Sequence, residues 1–378
     1  MRAIIIGAGI GGLTTAIALR QSGVETVIFE RADELREVGA GITLWANAMQ
    51  ALGKLGVADA VLAAGAPVAG GQVRSWRGEV LYEVPLGALE EIYGISVGLH
   101  RADLQAALFS ALPDDAVRLG VSCEGFRQDA FGVASLFADG REEHGDLLVG
   151  ADGLNSVVRA QLFGEERLIY AGYTAWRGVV EAGDAPLRYG PGFESWGRGA
   201  RFGLLNMGQG YFYWFATANA PEGEEYAVGR KAEVLRRFGR WYEPIPTVIR
   251  ATEESAILRH DVYDREPVKR WGEGRVTLLG DAAHPMTPNL GQGACQAIED
   301  AVVLGKCLKE ECSVTAALRL YEARRVDRTT FVVRRSRLVG RIGQLENPLL
   351  CKLRDALTKA TPRRIQLRQL DAIVGYEV

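Results

Sequence analysis

The run Arg2-Ala3-Ile4-Ile5-Ile6-Gly7-Ala8-Gly9-Ile10-Gly11-Gly12 joins an apolar strand to an apolar helical pattern through glycines at positions 7, 9 and 12. That spacing suits a dinucleotide pyrophosphate, because backbone N–H groups at a helix N-terminus approach the phosphates where no side chain intervenes. Gly7 allows the tight turn, Gly9 removes the Cβ that would hold the phosphates away, and Gly12 lets the helix pack on the strand. A second apolar strand, Thr26-Val27-Ile28-Phe29, ends in Glu30. A carboxylate there accepts hydrogen bonds from ribose hydroxyls and opposes a 2′-phosphate, so FAD or NAD fits better than NADP.

Two further acids stand at strand ends, in Gly150-Ala151-Asp152-Gly153-Leu154-Asn155-Ser156-Val157-Val158-Arg159 and in Gly280-Asp281-Ala282-Ala283-His284-Pro285. The preceding runs, Leu147-Leu148-Val149 and Val276-Thr277-Leu278-Leu279, have the composition of strands buried on both faces of a parallel sheet. An aspartate just beyond such a strand faces the crevice where open α/β sheets bind ligands. The competing role is a helix cap or turn acid.

Positioning these residues requires a doubly wound unit. Strand, helix and strand are followed by a glycine-rich segment at 38–43 and a helix over about 46–55. Residues 71–99 alternate irregularly, which predicts short antiparallel strands. An amphipathic helix runs from 100 to about 112, and two strands follow, divided at Ala138-Asp139-Gly140. Residues 170–260 are rich in aromatics, with strand-like runs at 174–181, 201–207 and 210–217. The fold class expected is α/β: a Rossmann-like FAD-binding domain, discontinuous over 1–70, 98–165 and 262–345. A mostly antiparallel β-sheet substrate domain (71–97 and 166–261) is inserted in it, and a C-terminal helical segment covers 346–378. Arginines crowd the helix expected at about 314–345, where a solvated or interdomain face is favoured over a membrane-surface one.

A net charge of −3 and a pI near 6.0 give no global pull toward nucleic acid or anionic lipid. No run is long and apolar enough for a membrane span and no secretory signal is visible, so a cytoplasmic protein is expected, as monomer or homodimer. The five cysteines are scattered, and Cys307 and Cys312 are too far around a helix to form a dithiol. The four dispersed histidines offer no metal site.

The three motifs, in this order, resemble the FAD-dependent monooxygenases of the single-component aromatic hydroxylase group, the para-hydroxybenzoate hydroxylase-like enzymes near flavin-dependent urate and salicylate hydroxylases. The resemblance covers nearly the whole chain. It implies FAD as cofactor, NAD(P)H as co-substrate, and hydroxylation of a small aromatic molecule by O2 through a flavin C4a-hydroperoxide. It also implies that Asp152 serves the flavin and the transient NAD(P)H, that Asp281 bonds the ribityl chain, and that Arg101 contacts FAD. Arg36 would lie near the adenine half, with Arg31 beside Glu30 as a further candidate. The run 285–294, with Pro288, Gly291, Gly293 and Ala294, would lie beside the isoalloxazine, the helix starting near Gly293 aiming its positive end at it. His284 reads as structural.

For the substrate, Arg201 and Tyr213 have a relation similar to the arginine and tyrosine of the urate hydroxylases. That group, however, carries an aspartate where this chain has Asn289, and an asparagine cannot be a general base. Period-two spacing puts Tyr211 and Tyr213 on one strand face and Phe212 and Trp214 on the other, so only one pair can line a cavity. Leu44, Trp45 and Trp176 are further candidates for its wall. Alternatives within the fold are an epoxidase or an isoprenoid reductase, and outside catalysis a flavin-containing binding protein. A tryptophan halogenase is disfavoured by the absence of Trp-x-Trp-x-Ile-Pro.

Overall fold

Five parallel strands carry the nucleotide-binding turns, in the order Val276–Leu278, Leu147–Gly150, Arg2–Ile6, Glu25–Phe29 and Val117–Arg118. The computed structural model describes residues 1–35, 40–68, 70–84, 86–182 and 191–378. The central strand is apolar on both faces, as a parallel strand covered by helices must be, and Ala3, Ile4 and Ile5 are fully buried. The helix Ile10–Gln21 covers one side and packs on Gly293–Glu310, where Ser22 Oγ donates to the Gly305 carbonyl at 2.9 Å. A Cβ on Gly305 would stand 3.1 Å from the Ala18 carbonyl oxygen, so glycine sets the closeness of this helix pair.

The second core lies beneath a seven-stranded sheet, in the order Leu258–Asp264, Ile169–Glu181, Tyr211–Asn219, Ala200–Gly208, Gly192–Trp196, Gly71–Ser75 and Val80–Val84. All its neighbours are antiparallel except Gly192–Trp196 and Gly71–Ser75. One face is closed by the helices Arg230–Phe238 and Ile245–Ala251. There Trp176, Phe202, Phe212 and Trp214 pack with Phe238 and Ile249. Trp176 is therefore corrected from cavity wall to core: its register with Ala216 places it on the closed face.

The opposite face packs on a small sheet of Gly41–Leu44, Val97–His100 and Ala66–Pro67. Glycine makes that contact possible. A Cβ on Gly41 would meet the Tyr213 ring carbon Cγ at 2.4 Å, and one on Gly98 would meet the Asn206 carbonyl oxygen at 2.9 Å. A separate three-stranded antiparallel sheet, Glu142–Gly145, Val133–Phe137 and Cys123–Gln128, adds a strand to the two expected around residue 139.

One local expectation changes. Residues 71–99 hold strands, but also the helix Leu86–Tyr93, whose Leu-Gly-Ala-Leu-Glu-Glu-Ile-Tyr pattern is short and framed by turn residues. Within the C-terminal segment Pro348 opens the helix Pro348–Ala360, with Asn347 Oδ1 accepting from the Leu349 and Leu350 N–H groups at 2.9 and 3.2 Å. A last helix, Arg363–Val374, packs Ile373 and Val374 near Leu89, Trp45 and Leu290.

The arginine-rich helix Val314–Gly343 is 30 residues long, about 45 Å at 1.5 Å per residue, and it ties the two cores together. Tyr321 Oη donates to the Leu278 carbonyl in the parallel sheet, while Arg337 pairs with Asp264 and Glu266 at the edge of the other. Arg325 is wholly buried against Glu299 and Asp300. No helix among the described residues is long and apolar enough to cross a membrane.

Candidate active site

The three motifs meet at one end of the parallel sheet. Gly7 has φ +103°, and a Cβ there would lie 2.5 Å from the Ala151 carbonyl oxygen, so the first turn rests directly on the second motif. A Cβ on Gly12 would lie 1.9 Å from the Gly7 carbonyl oxygen, which is the close strand–helix approach its position requires. Around Gly9 nothing lies within 4 Å of the corresponding point. Only this one of the three glycines opens onto free space.

Glu30 stands at the mouth of the same turn, with Oε2 accepting from the Ala8 N–H at 2.9 Å and Oε1 from the Ala32 N–H at 3.0 Å. Arg31 is exposed on the rim, and Arg36 lies outside the described residues. Arg101 begins the helix Arg101–Ser110. One turn on, Gln105 Nε2 donates to the Ala8 carbonyl at 2.9 Å. Gln105 was not anticipated, although its i+4 spacing from Arg101 is a readable signal.

Asp152 caps a helix. Its Oδ2 accepts from the Val157 N–H at 2.8 Å, at the start of Val157–Phe163. Its Oδ1 is buried and has no hydrogen-bond partner. Burial raises the pKa of this carboxyl, with Ser156 and backbone N–H groups pulling the other way. Arg159, from the same motif, is buried and donates to the Ala282 and Ala283 carbonyls at 3.0 Å each, while its other nitrogens grip Glu166. That guanidinium fastens the second motif to the third.

Asp281 is exposed to the cleft, yet enclosed enough by its walls that desolvation raises its pKa, against the pull of His284 and Arg101. A Cβ on Gly293 would lie 3.8 Å from Asp281 Oδ1, so the carboxylate stands beside the N-terminus of Gly293–Glu310. Gly291 has φ +61° and lies close to Trp45, whose buried Nε1 has no hydrogen-bond partner. Pro288 opens a short 3-10 turn on the exposed side of this segment, and Ala294 sits in the first turn of the helix. His284 is buried with Nε2 2.6 Å from Asp300 Oδ2, and is structural.

Behind this segment runs a buried polar network. Asn47 Nδ2 donates to Gln292 Oε1 at 3.0 Å and to Glu299; Arg325 donates to Glu299 and Asp300 at 2.7 and 2.6 Å; and Asp300 also accepts the Gly280 N–H at 3.1 Å. Asn47 and Gln292 are 245 residues apart, which left no local signal for their pairing.

The open face of the seven-stranded sheet supplies the far wall. Tyr213 and Phe215 lie on it, with Arg177, Arg201 and His260 at matching register positions, while Phe212 and Trp214 face the helices. Tyr213 is thus the tyrosine turned toward the nucleotide side. Arg201 is buried; its Nε donates to Gln344 Oε1 at 2.9 Å, Nη1 to Glu194 at 3.1 Å and Nη2 to Asn289 Oδ1. Asn289 Oδ1 also accepts from Tyr173 Oη at 3.1 Å. Desolvation raises the pKa of Tyr173 and Tyr213, which keeps both as neutral donors, and it lowers that of His260, with Arg177 adding to the effect. Arg177, His260 and Glu194 were not anticipated, since only the register aligns them.

The donor set fits FAD: an open point at Gly9, an unpaired buried oxygen on Asp152 and a carboxylate in a cleft at Asp281. Among the described residues no group of acids, histidines and cysteines could hold a metal.

Comparison with known proteins agrees. The family described as FAD binding domain matches residues 1–336. The chain is 49% identical over 357 residues to aurachin C monooxygenase/isomerase of Stigmatella aurantiaca, covering 94% of this chain and 93% of that protein. It is 34% identical over 380 residues to 2-heptyl-3-hydroxy-4(1H)-quinolone synthase of Pseudomonas aeruginosa, covering 97% and 96%. The crystal structure of Klebsiella pneumoniae HpxO complexed with FAD and uric acid superposes with a TM-score of 0.93 at 35% identity, over 99% of this chain and 97% of the other.

Proposed function

Because this chain belongs to the FAD binding domain family and is a flavoprotein monooxygenase, we propose that it hydroxylates an uncharged bicyclic heteroaromatic of the quinolone type, consuming NAD(P)H and O2. The observation that carries the substrate class is Asn289. At the position where the urate hydroxylases carry an aspartate, this side chain is neutral, and its oxygen already accepts from Arg201 and Tyr173. Asn289 itself therefore cannot take a proton from the ring. A quinolone needs no such base, because its ring nitrogen already pushes electron density onto the carbon beside the carbonyl. One relative, named for a quinolone, supports the same class.

In this assignment Arg201 and Tyr213 orient the ring from the sheet face, and Leu205 and Phe215 give the chamber its apolar surface. Gly7, Gly9 and Gly12 admit the pyrophosphate, Glu30 meets the ribose, and Asp152, Asp281 and Arg101 flank the rest of the cofactor. FAD held by these residues would supply the oxygen chemistry, with NAD(P)H as the two-electron reductant and O2 as the oxidant, one oxygen atom going to the ring and the other to water. Around it the protein provides positioning and exclusion of water.

The test is a screen of purified yellow enzyme against 2-alkyl-4-quinolones, urate and salicylate, following NAD(P)H loss, peroxide release and product mass. The expected result is quinolone-stimulated NAD(P)H oxidation with little peroxide and a product one oxygen atom heavier; coupled turnover of urate alone would overturn it. For the cofactor, Asp281→Ala should weaken FAD binding by roughly 10- to 100-fold, the worth of a hydrogen bond to a charged group. Fluorescence titration of the apoprotein measures it, and unchanged affinity would remove Asp281 from the flavin site.

A further inference from the structure

The Pro348–Ala360 helix turns an unusual face outward. Leu349, Leu353 and Leu357 recur at i, i+4 and i+8 with Leu350 beside them, and they are 73%, 54%, 60% and, for Leu350, 47% exposed. Such spacing makes one continuous apolar stripe along about 12 Å of helix. The helix cannot roll to hide it. On its opposite side Cys351 is buried, with Sγ 3.1 Å from the Leu345 carbonyl oxygen, and Arg354 donates to the Gly343 and Gly197 carbonyls at 3.2 Å each.

The sequence around this helix is strongly basic. In a chain of net charge −3, residues 334–368 hold ten Lys or Arg against two Asp or Glu. Arg334, Arg341, Lys352, Arg363, Arg364 and Arg368 are exposed, and among the described residues none of these six forms an ion pair. On the preceding helix, Phe331, Leu338 and Ile342 are also exposed, at helical spacing with Arg334 and Arg341.

We propose that the Pro348–Ala360 helix docks the enzyme on an anionic lipid bilayer, its leucines entering the headgroup region while the flanking cations meet lipid phosphates. An apolar stripe bordered by unpaired cations and few acids is what an interfacial helix requires. A second copy of this chain would bring the same excess of positive charge against itself in a two-fold contact, which disfavours it as the occupant. The docking is independent of which ring the enzyme hydroxylates.

The test uses the FAD-loaded full chain in vesicle flotation, comparing equal parts phosphatidylglycerol and phosphatidylcholine with phosphatidylcholine alone. The enzyme should float with the anionic vesicles, roughly tenfold more weakly with the neutral ones, and less as salt rises. The triple variant L349S/L353S/L357S should lose roughly tenfold or more of the binding while its flavin absorbance and melting temperature stay those of the parent. Replacing Arg363 and Arg364 by Gln should flatten the salt dependence. Failure to float, equal flotation of the leucine variant, or a dimer in sedimentation velocity that the leucine variant dissolves would each overturn the proposal.

Discussion

Gly9→Val should give a protein that folds as the parent does and does not hold its flavin. The backbone at Gly9 is extended, with φ −72° and ψ −178°, a conformation open to valine, and no atom lies within 4 Å of where a Cβ would be. The apoprotein therefore meets no clash. The new side chain instead occupies the space through which the pyrophosphate must approach the backbone, and a misfit of one or two methyl groups costs about 1–3 kcal/mol. That corresponds to roughly 5- to 150-fold in affinity, more where the phosphates cannot shift. Isothermal titration of the apoprotein with FAD, beside its melting curve, checks both halves. Gly12→Val is the contrast, since its Cβ would sit 1.9 Å from the Gly7 carbonyl oxygen. It should lose stability before cofactor binding is measurable. Unchanged FAD affinity in Gly9→Val would mean that the loop does not face the phosphates.

Arg325→Leu should produce the largest loss of stability of any single substitution outside the glycine turn. It removes the buried cation that Glu299 and Asp300 share, leaving Glu299 the longer 3.6 Å contact with Arg328 and Asp300 the imidazole of His284. Breaking a buried pair in this way costs about 3–5 kcal/mol. Asp300 also holds the Gly280 N–H and His284, so the damage reaches the turn that bears Asp281. Burial alone would raise the Asp300 pKa, but His284 and Arg325 overcome it and hold the carboxyl below its ordinary range. Its stabilising contribution is therefore complete above the ordinary aspartate range and is lost as pH falls through the depressed value. Thermal melts from neutral to acid pH should show the parent converging on Arg325→Leu as Asp300 protonates. A variant within 1 kcal/mol (roughly, the range of a surface substitution) would show that the network is dispensable.

The elements that bind nucleotide were legible because each is local. A glycine turn, an acid at a strand end and a fully apolar strand announce themselves within ten or so residues, and Gly7, Gly9, Gly12 and Asp281 all fall where such signals put them. Asp152 was legible as a residue but divided in role, since one oxygen caps a helix and the other stays unpaired. The substrate wall was only half readable. Period two separated Tyr213 from Trp214, but which side met the helices depended on chain more than fifteen residues away. Trp176, named as a further candidate for the chamber wall, went to the core for that reason. Arg325 looked like one more surface arginine, and nothing near it in sequence disclosed Glu299 and Asp300.

The guanidinium of Arg159, clasping the carbonyls of Ala282 and Ala283, has a bearing on how the enzyme is born. A ribosome that has delivered the first glycine turn is still more than two hundred and fifty codons from Asp281 and the segment that Arg159 holds. The nascent amino-terminal portion must therefore wait, uncoloured, until the segment around Asp281 has been made. Flavin capture then becomes a late event in biogenesis, and a cell short of riboflavin would accumulate finished chains rather than truncated ones.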